Sequence, residues 1–138
     1  MSRTFAVGDT FGAVREVDRY RALYYAAASG DFNPIHVDPE VGAQAGLGGA
    51  ILHGLCTLSF GVDVAVKYLG DPGCVRSVKA RFSRPVAIGD TLTFEGRVIQ
   101  INGARLKMEV AARNQRGEEV LKGLMLEAEP RLAAGASP

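Results

Sequence analysis

Residues 54–69 read GLCTLSFGVDVAVKYL, and this stretch decides the fold. Leu55, Leu58, Val62, Ala65, Val66 and Leu69 recur at the three- and four-residue spacing of a helical core stripe. Cys56, Phe60 and Val64 make the other faces apolar too. A helix apolar nearly all round is buried on several sides. Asp63 and Lys67 interrupt the run short of the roughly 20 apolar residues that a membrane span needs. Gly61, in its middle, costs about 1 kcal/mol relative to alanine. Close packing of a neighbouring strand would explain it, as would room for a bound chain.

The cover for this helix lies mostly on its C-terminal side. After the Asp71-Pro72-Gly73 turn the chain alternates like antiparallel sheet. Val78, Ala80 and Phe82 alternate with Lys79, Arg81 and Ser83, and Leu92, Phe94 and Val98 with Thr91, Thr93, Glu95 and Arg97. Asn102-Gly103 is a strong hairpin signal, leading to Leu106, Met108 and Val110. Gln115-Arg116-Gly117 turns again into Val120, Leu124 and Leu126. On the N-terminal side, Thr10–Val17 reads as one more strand, with Phe11, Ala13 and Val17 on one face. Asp18 is placed to cap a helix whose buried stripe is read as Leu23, Tyr24, Ala27 and Ala28, and Gly30 to end it. Arg19 and Arg21 sit near the positive end of that helix dipole and are expected to face solvent or a partner. From Asn33 to Ala50 the chain reads as irregular, apart from a short helix opened by Asp38-Pro39-Glu40 and running to about Ala45.

One strand, helices and then four strands make an α+β domain over residues 1–130, with a frayed tail over 131–138. The sheet must wrap the long helix, because nothing else in the chain could cover it. One helix cannot cover both faces of such a sheet, and pairing of two sheets in a dimer is the simple remedy. With 47% hydrophobic and 22% charged residues in 138, the chain has the composition of an ordinary globular domain. A formal charge of +1 gives no field for nucleic acid. The opening residues, MSRTFAVGDT, lack the apolar core of a signal peptide. Cys56 and Cys74 are not in a metal-ligand spacing and are expected to be reduced, buried thiols of a cytoplasmic protein.

Chemistry concentrates in Ser29-Gly30-Asp31-Phe32-Asn33-Pro34-Ile35-His36. On a continuous helix Asp31 and His36 would point about 140° apart, but Pro34 breaks the helix. A loop can set the carboxylate and the imidazole on two sides of one water, where both can transfer protons. Asn33 can pin the loop or orient one of the pair. An Asx-type turn, with Asp31 satisfying loop amides and His36 packed on the surface, accounts for the same residues. His53-Gly54 opens the long helix. The first amides of a helix lack intrahelical partners and sit at its positive end, so Gly54 can polarise a ligand carbonyl. A plain helix start is the other reading, and His53 reads as a structural hydrogen-bonder. Ser29 and Ser59 lack the GxSxG setting of a hydrolase nucleophile. Two histidines and an aspartate at this spacing are not diagnostic of a metal site.

Tyr25 to His36, YAAASGDFNPIH, resembles the signature of MaoC-like (R)-specific enoyl-CoA hydratases. Ile51-Leu52-His53-Gly54 resembles that family's second block, and Phe82-Ser83-Arg84-Pro85-Val86 with Gly89-Asp90-Thr91-Leu92 is similar to its third. The resemblance implies a hot-dog fold, a curved antiparallel sheet around one long helix with an overhanging segment that carries the site. It implies Asp31 and His36 as a catalytic dyad, Asn33 as loop support and the Gly54 amide as the thioester-carbonyl donor. The implied reaction is reversible syn hydration of trans-2-enoyl thioesters to (3R)-3-hydroxyacyl thioesters, without metal or cofactor. The substrate carrier would be CoA or an acyl carrier protein. A homodimer is implied, a heterodimer with a related subunit being the variant. Phe32 departs from the smaller or charged residues expected there, which bears on chain length rather than chemistry. Lys79, Arg81 and Arg84 could meet CoA phosphates or an acidic carrier protein, although a solvated strand face is the favoured reading. The alternatives are a hot-dog acyl-CoA thioesterase and a non-catalytic acyl-thioester binding subunit.

Overall fold

The computed structural model describes residues 3–131. Its elements are β1 (Thr10–Glu16), α1 (Arg21–Ser29), α2 (Pro34–Val37), α3 (Pro39–Gln44), α4 (Gly54–Leu69), β2 (Val75–Phe82), β3 (Thr91–Asn102), β4 (Arg105–Arg113) and β5 (Glu119–Ala128). The five strands form one antiparallel sheet in the order β1-β3-β4-β5-β2. Alternation buries Leu92, Phe94 and Val98 of β3 and Leu106, Met108, Val110 and Ala112 of β4 on one face, against α4. This is the wrapped-helix architecture that the apolar stretch 54–69 demands. No helix among the described residues is long and apolar enough to cross a membrane.

Gly61 is explained by close packing. A Cβ there would stand 2.7 Å from Leu124 Cδ2 and 3.4 Å from Leu121 Cδ2, so the glycine lets β5 approach the helix axis. The buried stripe of α4 differs from the one read in the sequence. Cys56, Thr57, Gly61, Val64, Ala65 and Leu69 are buried, whereas Leu55 is 59% exposed and Val62 and Val66 are half-buried. The stripe of α1 differs as well: Ala22 and Ala26 are buried, Tyr25 is half-buried, and Leu23, Tyr24, Ala27 and Ala28 face outward. In both helices apolar residues occur nearly all round, so periodicity cannot choose the face and the packing partner does. Asp18 acts just ahead of α1 rather than on its cap: its Oδ1 accepts from Tyr20 N–H (2.9 Å), and its carboxylate pairs with Arg21 at 3.2 Å. The Arg21 guanidinium lies over the Phe60 ring, 5.6 Å from its centroid, rather than standing free in solvent.

β2 is an edge strand, paired only with β5, and its apolar side chains Val78 and Phe82 remain exposed. Of the basic residues on this side, Arg84 pairs with Glu118 at 3.3 Å, and Lys79 and Arg81 are exposed. The segment before α4 is held by three backbone bonds: Ile51 N–H to Ile35 O (3.0 Å), Leu52 N–H to Val86 O (2.7 Å) and Ile88 N–H to Ala50 O (3.2 Å). Buried Asp90 supports that contact, its Oδ2 accepting from Ala87 N–H and its Oδ1 from the Gln115 amide. Arg131 N–H donates to Asp71 Oδ2 at 3.1 Å. The remainder of the tail expected from 131 onward lies outside the described residues.

Candidate active site

The stretch between α1 and α3 is more regular than the sequence suggests. Gly30 takes a left-handed φ of 79° and returns its N–H to Ala26 O, ending α1. Asn33 then caps a single helical turn, α2, its Oδ1 accepting from Ile35 N–H at 3.2 Å with Pro34 as the first helical residue. The sequence reading missed this turn, although its signal, an amide cap followed by proline, is the same as that of Asp38-Pro39 at α3. Asn33 therefore supports the loop by capping α2, its side-chain oxygen bonded to Ile35 N–H rather than to the imidazole.

Asp31 performs two tasks with its two oxygens. Oδ1 accepts from Asn33 N–H at 3.2 Å, the Asx-type turn, and Oδ2 stands 3.9 Å from His36 Nε2. The carboxylate is 54% exposed and the imidazole 11%. His36 Nδ1 lies 2.9 Å from Ile51 O. A carbonyl only accepts, so Nδ1 carries the proton and the neutral ring presents a lone pair at Nε2. The Nε2–Oδ2 separation is too long for a direct hydrogen bond. A water about 2.8 Å from both atoms would subtend roughly 90° at its oxygen, near its own bond angle. Two acceptors so placed can hold one water by both its protons.

His53 fastens this arrangement from behind. Its Nε2 donates to Asp31 O (2.9 Å), and its ring stacks on His36 with centroids 3.8 Å apart and planes 24° apart. The bond to a carbonyl again fixes the tautomer, leaving Nδ1 as a buried acceptor without a partner among the described residues. Tyr25 packs against His53 with ring centroids 4.7 Å apart. Burial, with Cys56 and Asp31 nearby, pushes the Tyr25 phenol above its usual pKa.

Gly54 is the first residue of α4, and the helix's opening bonds run from Cys56 N–H and Thr57 N–H to His53 O (3.0 and 3.3 Å). The amides of Gly54 and Leu55 precede them and have no intrahelical acceptor. The Phe82 ring covers the Gly54 Cα, such that an added Cβ would meet ring carbons at 3.3 Å. His36 and Gly54 open onto one cavity of about 310 Å³, shared with Leu52, Thr57, Phe82 and Val86. Asp31, Asn33 and His53 do not line it: Asp31 reaches it through His36, and the other two hold the walls. Two larger hollows, of about 620 Å³ on the outer sheet face over Gly12 and Gly96 and of about 710 Å³ beside Arg84, Glu118 and Lys122, hold no imidazole or free helix amide. The chemistry therefore lies in the smaller one.

Asp31, His36 and His53 also offer ligand-type atoms within 4.8 Å of one another. Tetrahedral zinc, with bonds of about 2.0–2.1 Å, needs donors roughly 3.4 Å apart, closer than the 3.9 Å between Asp31 Oδ2 and His36 Nε2.

The residues 5–120 match the model of the MaoC like domain. The chain belongs to this family. Over 105 residues, 75% of its length, the MaoC-like domain is 39% identical to the peroxisomal enoyl-CoA hydratase 2 of Arabidopsis thaliana, of which it covers 32%. It covers 16% of the peroxisomal multifunctional enzyme type 2 of Drosophila melanogaster, to which it is 39% identical over 104 residues. The domain thus spans a third or less of these curated relatives. Its backbone superposes on the unliganded R-hydratase PhaJ1 of Pseudomonas aeruginosa with a TM-score of 0.82 and 26% identity, covering 97% of this chain and 90% of that one. The curved sheet around α4 is the hot-dog fold that the resemblance implies.

Proposed function

We propose that this MaoC-like domain hydrates trans-2-enoyl thioesters to (3R)-3-hydroxyacyl thioesters, and catalyses the reverse dehydration, with Asp31 and His36 as its catalytic dyad. One observation carries the reading: Asp31 Oδ2 stands 3.9 Å from the Nε2 of His36, which lines a cavity whose other polar wall is the start of α4. Addition of water to a conjugated thioester needs a water held over C3, a proton delivered at C2, and a donor for the charge that gathers on the thioester oxygen. Asp31 and His36 hold the water. One of them takes a proton from the water as its oxygen bonds to C3, and that proton is passed to C2 on the same face, so the elements of one water add syn. The Gly54 N–H and the positive end of the α4 dipole meet the oxygen. The relatives' names, enoyl-CoA hydratase and R-hydratase, support the same reaction.

Coenzyme A is the carrier in this reading, and a homodimer is the working form. The exposed Val78 and Phe82 on the free edge strand β2, with Leu55 beside Gly54, support pairing at the mouth of the site. The buried, unpaired thiols of Cys56 and Cys74 support a reducing, cytoplasmic setting. Hydration of crotonyl-CoA, followed as loss of enoyl absorbance, tests the activity. Release of free thiol in its place would assign the domain to the hot-dog thioesterases, and binding without either reaction would make it a non-catalytic subunit.

A further inference from the structure

The described helices hold three serine and threonine hydroxyls. Two of them do what helical hydroxyls commonly do and bond back four residues: Ser29 Oγ to Tyr25 O (2.7 Å) and Ser59 Oγ to Leu55 O (2.8 Å). The third, Thr57, does not. Its back-bonding acceptor, His53 O, already receives the amides of Cys56 and Thr57, and Thr57 Oγ1 is buried with no partner among the described residues. The residue is 1% exposed and lines the cavity that His36 and Gly54 share. A buried hydroxyl without a partner is unfavourable in the free protein, and a ligand that accepts from it removes that cost.

Its position says which ligand atom. Thr57 is three residues past Gly54, on the same face of α4, and helical side chains lean toward the N-terminus. The hydroxyl therefore leans toward the oxygen that the free Gly54 amide would receive. We propose that Thr57 Oγ donates a second hydrogen bond to the substrate's thioester oxygen. The enolate oxygen formed on water addition is then held by two donors, one from the backbone and one from a side chain. This rests on the acyl-thioester reading of the site and adds a substrate-contacting residue to it.

The test compares wild type, Thr57→Val and Thr57→Ser in crotonyl-CoA hydration, in thermal melting without ligand, and in the infrared carbonyl stretch of bound butyryl-CoA, which cannot be hydrated. Thr57→Val should melt no lower than wild type, lose roughly 100-fold in turnover, and leave the bound carbonyl closer to its frequency in free butyryl-CoA. Thr57→Ser should keep both the turnover and the frequency. Turnover of Thr57→Val within about twofold of wild type, or a bound carbonyl unchanged by the substitution, overturns the proposal. If wild type itself fails to hydrate, the hydratase reading falls, and the carbonyl comparison still decides the role of Thr57. Absence of butyryl-CoA binding overturns both.

Discussion

Replacing Asp31 by asparagine and His36 by alanine should separate chemistry from stability, because the two residues are tied to the fold so differently. In Asp31→Asn the amide oxygen can keep the bond from Asn33 N–H, now 3.2 Å to Oδ1. Its NH2 then occupies the place of Oδ2, 3.9 Å from His36 Nε2, as a donor where an acceptor stood. The water loses one acceptor and the site loses a proton carrier. The side chain is half in solvent, so stability should change by less than about 0.5 kcal/mol. His36→Ala removes the partner of Ile51 O and the ring stacked on His53. An unsatisfied carbonyl costs about 1–3 kcal/mol and the lost stack about 0.5–1.5 kcal/mol. The melting temperature should then fall by roughly 6–20 °C. Turnover should drop at least about 100-fold in each, as for loss of one acid–base group. Because the pair acts on one water, the double variant should be little slower than either single one. Crotonyl-CoA hydration with parallel thermal melts reads all of this. Asp31→Asn turning over within about threefold of wild type refutes the dyad.

Two further outcomes follow from the scaffold. A Cβ at Gly42 would run into the Gly49 carbonyl, so Gly42→Ala must displace the 46–50 loop that leads to Ile51. Helix propensity returns about 1 kcal/mol against an overpacking cost of about 1–3 kcal/mol or more. Melting should therefore fall by several degrees and turnover with it, and a variant as stable and active as wild type would contradict the contact. Tyr68 is pushed up to about 12 from 10.0 by burial and by its bond to Asp9. The fold favours the neutral phenol, so this stabilisation is complete below about pH 10 and disappears as the pH rises toward 12. Tyrosinate absorbance should show late-titrating tyrosines, of which the component near pH 12 is missing in Tyr68→Phe.

What could be read from the sequence was local. The glycine that ends α1, the Asp38-Pro39 start of α3 and the alternation along β3 and β4 depend on each residue's own backbone preference or on a period of two, and each stands where the residues put it. The buried faces of α1 and α4 were not legible. Leu23, Tyr24 and Leu55 look like core by composition, yet they point outward, because a helix apolar all round carries no polar side to orient it. The site divides the same way. The closeness of Asp31 and His36, and the role of Gly54 as the first residue of α4, were readable from a proline and a helix start. His53 as the tie to Asp31 O, the carbonyl of Ile51 that sets the His36 tautomer, and the unpartnered hydroxyl of Thr57 arise only when segments distant in sequence meet.

The central claim is that Asp31, His36 and the start of α4 together add water across an enoyl thioester from one face. Incubating the purified domain with crotonyl-CoA and determining the configuration of the 3-hydroxybutyryl-CoA formed, with stereospecific dehydrogenases, tests this most directly. The predicted result is the (3R) product alone, formed by wild type and not by Asp31→Asn. Formation of the (3S) product, or free thiol without loss of the double bond, would contradict it.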